Sequence, residues 1–139
     1  MKKINLNFEG YWRECNKSGI PAKSGIYCVY SCTYNSTQDT VSLKKLLYIG
    51  ESTNVKNRVA THNRLDDWKK QLSPNETLCY SFASVSDNDR TRAEAALIFK
   101  HKPPMNEEYI NTFPYEDTHM SLSGKTKFLT TDFIVEKTI

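Results

Sequence analysis

The stretch Gly25-Ile26-Tyr27-Cys28-Val29-Tyr30-Ser31, followed after a polar connection by Lys44-Lys45-Leu46-Leu47-Tyr48-Ile49-Gly50, decides how this chain folds. The first run is dense in β-branched and aromatic residues and has turn-forming polar residues on both sides, as a strand with a buried face requires. The second has the same character and ends on a glycine. Between them CTYNSTQDTVS is polar throughout, so the two runs read as neighbouring antiparallel strands joined by a longish loop.

Toward the C-terminus, Ser52 or Thr53 stands where a helix cap belongs, and Asn54 to Arg64 carries Val55, Val59 and His62 or Asn63 at helical spacing. Arg58 and His62, four apart, share a face of that helix. LDDWKKQL puts Leu65, Trp68 and Leu72 on one side of a short helix closed by Ser73 and Pro74. TLCYSFASV alternates Leu78, Tyr80 and Phe82 against Cys79, Ser81 and Ala83 and is the third strand. Asp87 or Asp89 caps a longer helix over about Arg90 to His101, which Pro103 and Pro104 end, with Glu94 on or beside its core-facing stripe. Beyond Asn111 the pattern weakens, although KFLTTDFIVEK offers one or two short strands. Before the core, Phe8, Tyr11 and Trp12 precede the turn-rich NKSGIPAKSG and read as a cover for one edge.

These elements predict one α/β (α+β) domain in which a small, three-stranded, mostly antiparallel sheet is flanked by helices. The core runs over residues 25–110, with an N-terminal extension (1–24) packed on it and a C-terminal extension (111–139) that can add strands. At 139 residues one domain is expected, and 38% hydrophobic with 25% charged residues excludes a disordered chain. No apolar run approaches the roughly 20 residues of a membrane span, and nothing apolar follows the opening lysines as a secretion signal would. A soluble, cytoplasmic protein without membrane contact is the expectation. Cys15, Cys28, Cys32 and Cys79 form no C-x-x-C pair and have no histidine at ligand spacing, so they read as reduced thiols in the core. His101 and His119 are expected at the surface.

Net charge is only +3, and its distribution says more. Lys56 to Lys70 holds five basic residues against Asp66 and Asp67, and Arg90 to Lys102 holds four against Glu94, so each segment is net +3. Lys56, Arg64, Arg90, Arg92 and Lys100 are the candidates for phosphate contacts, which hold nucleic acid without reading its sequence.

The ordered set Gly25-Ile26-Tyr27, Tyr48-Ile49-Gly50, Arg58, His62, Glu94 and Asn106 resembles the GIY-YIG nuclease family over about Lys23 to Glu108. In that family two motif strands precede a helix with an arginine and then a His or Tyr one turn on. A helix with a single metal-binding glutamate follows, then an asparagine. The resemblance implies a DNA endonuclease that uses Mg²⁺ or Mn²⁺ held by Glu94. Arg58 then neutralises the scissile phosphate, Asn106 ties the second helix's exit to the site, and Tyr27, Tyr48 or His62 serves as general base. The chemistry is consistent with those residue types: hydrolysis of a phosphodiester needs an activated water, a cation on the phosphate and help for the leaving oxygen. Magnesium accepts one or two carboxylates while keeping several waters. Gly50 is expected to let backbone and phosphate approach closely.

Two features depart from the family. Twenty residues separate the two tripeptides, a longer connection than many members have, and Glu51 stands where some relatives place a lysine. The alternative reading is a catalytically inactive or partner-dependent DNA-binding module of the same fold. Homodimer or protein partner is left open, and specificity is expected from the segments outside the shared core: Phe8 to Lys23, Cys32 to Leu43, and the tail after Asn111.

Overall fold

The computed structural model describes residues 1–139. Strand β2 (Gly25–Asn35) is buried on both faces for most of its length, because β3 (Thr40–Ser52) and β4 (Thr77–Ser84) flank it and helices cover both sides. Both neighbours run antiparallel to it, with Tyr27 opposite Gly50 on one side and Phe82 on the other. The long connection expected between the motif strands is largely strand: the hairpin extends to its turn at residues 36–39, with Asn35 paired to Thr40.

The sheet has six strands, in the order β3-β2-β4-β1-β5-β6, and this corrects the expectation of three. The N-terminal segment is the missing link. Ile4, Leu6 and Phe8 alternate with exposed residues along β1 (Lys2–Arg13), which pairs antiparallel with β4 and parallel with β5 (Thr118–Gly124). Residues read as an edge cover are therefore an interior strand, followed by a 3-10 helix (Glu14–Gly19). Beyond Asn111 the chain supplies β5 and β6 (Asp132–Val135), and β6 closes the far edge.

Two cores lie on the two faces. One packs Ile26, Cys28, Tyr30 and Ile49 under α3 (Asp87–His101) through Ala93, Ala96 and Leu97. The other packs Tyr27, Val29, Leu47 and Tyr80 under the short helices α1 (Val55–Ala60) and α2 (Leu65–Lys69) through Val55, Val59 and Trp68. Each such large side chain contributes about 1.5–3 kcal/mol on burial.

Local details also differ from the sequence expectations. The α1 cap is Asn54, whose side chain accepts from the Asn57 N–H, and α1 ends at Ala60, so Arg58 and His62 do not share one helix. The N-cap of α3 is Ser86. Cys32 and Cys79, on adjacent strands with Cα atoms 6.3 Å apart, are joined as a disulfide, while Cys28 is a buried thiol and Cys15 an exposed one. Strand pairing brings together cysteines whose spacing in sequence announces nothing. His101 is partly buried: its Nδ1 bonds the Leu97 carbonyl and its Nε2 accepts from the Thr130 N–H, pinning the end of α3 to the tail. His119 pairs with Asp132. No helix is long and apolar enough to cross a membrane.

Candidate active site

The ends of β2 and β3, α3 and the segment after it enclose a cleft of about 330 Å³ lined by Tyr27, Tyr48, Glu51, Arg58, Arg64, Glu94, Ile98, Asn106, Glu107 and Glu108. Five of the six residues singled out as catalytic line it. The sixth, His62, is buried directly behind Tyr27.

Strand pairing seats the Tyr27 ring. Gly50 lies opposite Tyr27, and a Cβ there would collide with the phenol carbons and oxygen. The glycine is thus needed for the tyrosine, and this corrects the expected role of admitting phosphate. The hydroxyl end is fixed by His62, whose Nε2 is 2.8 Å from Tyr27 Oη. His62 Nδ1 accepts the Arg64 N–H at 3.0 Å, so the imidazole proton sits on Nε2 and is donated to Tyr27. Burial, together with Arg58 and Arg64, lowers the His62 pKa to about 4, so the ring is neutral at ordinary pH. Trp68 packs on it at 4.3 Å between centroids. The Tyr27 pKa is pushed up, first by burial, then by Tyr48, while Arg58 beside the hydroxyl opposes the rise.

Tyr48 stacks on Tyr27 at 6.2 Å and reaches Trp68 at 5.2 Å, with the Arg64 guanidinium 5.9 Å from its ring centre. Arg64 is tied to Asp67 and to the Met105 carbonyl. Arg58 bonds Asn63. Asn106 grips one peptide of the outer strand: its Oδ1 accepts from Ile49 N–H and its Nδ2 donates to Ile49 C=O, both at 2.9 Å. Since β3 is an edge strand, those two backbone groups have no strand partner on that side.

Glu94 enters from α3. Its pKa is raised to about 8, first by burial and then by the carboxylates of Glu51 and Glu108, against the opposing pull of Arg90 and a backbone bond from Glu51. A carboxyl so placed resists ionising until positive charge arrives, which suits a divalent cation coordinated by one carboxylate, water and phosphate oxygens. No three His, Cys, Asp or Glu side chains gather as a ready-made metal cage.

Of the five candidate phosphate contacts, the structure brings only Arg64 to the cleft wall. Lys56 is exposed on α1. Arg90 is tied to Glu51, Asp87 and the Ser24 hydroxyl. Arg92 is turned to Thr118 and the carbonyls of Glu116 and Asp117, and Lys100 lies 5.8 Å from the Phe133 ring. Sequence reasoning did not assign Glu107, Glu108 or Ile98 to the site. Glu107 and Glu108 directly follow Asn106, and that adjacency was the available signal.

A family model described as the GIY-YIG catalytic domain matches residues 23–109. No curated protein and no solved structure matches the chain.

Proposed function

The chain belongs to the GIY-YIG family, and on that footing we propose that it is a metal-dependent endonuclease that hydrolyses a DNA phosphodiester in the cleft between Tyr27, Arg58 and Glu94. Membership supports a nuclease-type, DNA-cleaving function in general. The observation that carries the finer reading is the convergence of Tyr27, Tyr48, Arg58, Glu94 and Asn106 on one cleft.

Tyr27 is the group that meets the attacking water. Its oxygen already accepts from His62 Nε2–H, which leaves one lone pair for a water proton and its own O–H to donate toward the phosphate. His62 has no free lone pair facing the cleft, so it orients the phenol and is not the base. Arg58 neutralises charge on the scissile phosphate, and Tyr48 walls the site. Asn106 holds the strand that seats Tyr27 and Tyr48. Glu94 holds the cation; when bound, Mg²⁺ or Mn²⁺ would supply Lewis acidity and charge neutralisation at the phosphate. Arg64 is the phosphate contact closest to this chemistry, Lys56 stands exposed on α1, and Arg90, Arg92 and Lys100 serve other partners.

The test is a gel assay on supercoiled plasmid and on branched and single-stranded oligonucleotides with Mg²⁺ or Mn²⁺. Cutting is expected for the parent and its loss for Glu94→Ala. Equal rates for the two proteins would sink the assignment. Binding without any cutting would identify a binding module.

A further inference from the structure

The cleft is a poor place to gather a polyanion. Four carboxylates (Glu51, Glu94, Glu107 and Glu108) line it against two guanidiniums, Arg58 and Arg64. Most of the affinity for DNA has to come from another part of the surface.

The three segments outside the shared core converge on one place. Tyr11 and Arg13 of β1, Tyr34 and Val41 near the tip of the β2–β3 hairpin, and Lys125 and Lys127 of the tail line two adjoining hollows of about 340 and 460 Å³, which share Tyr11 and Val41. The tail is fastened there: Lys125 N–H bonds the Phe8 carbonyl, Lys127 N–H bonds Tyr11 Oη, and Tyr30 Oη donates to the Lys127 carbonyl. The Arg13 guanidinium stacks 3.6 Å from the Tyr34 ring centre. Asp39 is the one carboxylate of the lining, and Tyr34 Oη already donates to it. Arg13, Lys125 and Lys127 make no ion pair. Between this groove and the cleft runs the open edge of β3, where Lys44 and Lys45 are exposed and equally unpaired. From Tyr48 to Val41 the edge lies opposite Val29 to Tyr34 of β2, two bulges taking up the extra residues, so it spans about 17 Å at the rise of a strand, or about five base pairs of DNA.

We propose that the DNA substrate runs from the cleft along the β3 edge, over Lys44 and Lys45, into this groove, where Arg13, Lys125 and Lys127 hold its phosphates. The proposal rests on the DNA-cleaving reading above and extends it to how substrate is held. It makes the long hairpin and the tail the affinity surface of the enzyme.

Binding of a fluorescein-labelled duplex of about 30 base pairs, followed by anisotropy over about 0.05–0.2 M KCl without divalent cation, tests it. The double variants K125A/K127A and K44A/K45A alter only exposed side chains. Each is expected to lower the slope of log affinity against log salt by about 1.8, and to weaken binding at about 0.1 M salt at least tenfold. With metal added, KM should rise and kcat at saturating DNA should stay at the parent value. K3A/K137A removes equal charge elsewhere and should keep the parent slope. Parent slope and Kd in both groove-side variants, an equal loss in K3A/K137A, or a parent that binds duplex without salt dependence would overturn the proposal. Lysines at β3 that serve only to guard an open sheet edge against pairing would give the first of these results. Binding is read without cleavage, so a parent that cuts no DNA refutes the nuclease assignment and still leaves the groove decided.

Discussion

Replacing Gly50 by alanine adds one methyl group in space occupied by the Tyr27 phenol, and its cost follows from that collision. Gly50 has no left-handed backbone requirement, so the change carries no φ penalty and the collision is the whole perturbation. The ring is held by the sheet below and by Tyr48 and His62 beside it, so it moves only by breaking the bond to His62. Overpacking costs about 1–3 kcal/mol and the lost buried hydrogen bond about 1 kcal/mol. The sum, about 2–4 kcal/mol, lowers Tm by roughly 6–14 °C for a chain this size. Because the penalty comes from one partner, a double-mutant cycle isolates it. Tyr27→Ala alone should cost about 3–5 kcal/mol by cavity formation. Adding Gly50→Ala to it should then be nearly neutral, giving a coupling of about 2–4 kcal/mol, the cost of Gly50→Ala in the parent. The assay is urea unfolding of the four proteins, with cleavage rates for the parent and Gly50→Ala, which should lose activity with its displaced Tyr27. Additivity within about 0.5 kcal/mol, or an active Gly50→Ala of parent stability, would refute the seating of Tyr27 on Gly50.

Asn106→Ala leaves the Ile49 N–H and C=O without their two side-chain partners, and should cost about 1–3 kcal/mol, read as a lower Tm; a Tm unchanged from the parent would show that the grip contributes nothing. His62 should titrate near pH 4, with Nε2–H as the neutral tautomer, and nitrogen NMR should find no change in its ring between pH 6 and 8. The sign follows from burial of the neutral ring: the unfolded chain takes up the proton first. Stability is therefore full above the unfolded pKa of about 6.5 and falls as pH drops toward 4, by on the order of 2–3 kcal/mol. His62→Gln should flatten that part of the stability curve; an unaltered curve would place the pH dependence elsewhere.

Much of the site was legible because its parts are local or carried by short patterns. GIY and YIG announce their strands by β-branched and aromatic content, and the helix that carries Glu94 shows in its capping residues and the two prolines that stop it. The misses share a physical origin in partners distant along the chain. Ile4, Leu6 and Phe8 do alternate, yet β1 becomes an interior strand only because β5, more than a hundred residues later, pairs with it in parallel. The end of α1 is decided similarly. A helical His62 would lose both Tyr27 and the Arg64 N–H, and a side chain that bonds the backbone two residues on competes directly with helix. Arg90 and Arg92 were counted with the phosphate contacts by charge alone, and charge does not disclose that Glu51 and the carbonyls before β5 already engage them.

The acidity of the cleft and the basicity of the distant groove belong to one energetic scheme. A cleft crowded with cations would bind the ground-state phosphate tightly, lowering KM without raising kcat. Here the scissile phosphate enters a site where burial and the carboxylates of Glu51 and Glu108 raise the cost of ionising Glu94, so its arrival with a cation relieves a repulsion built into the empty protein. Contacts about five base pairs away supply the binding free energy that brings it there. Duplexes shortened on the groove side of the cut should therefore lose affinity, with KM raised and kcat at saturation unchanged, once they no longer reach Lys125 and Lys127. Duplexes shortened on the opposite side should keep affinity and KM. A loss that depended only on total length, whichever side was trimmed, would contradict the assigned direction of the strand and with it this division between holding and cutting.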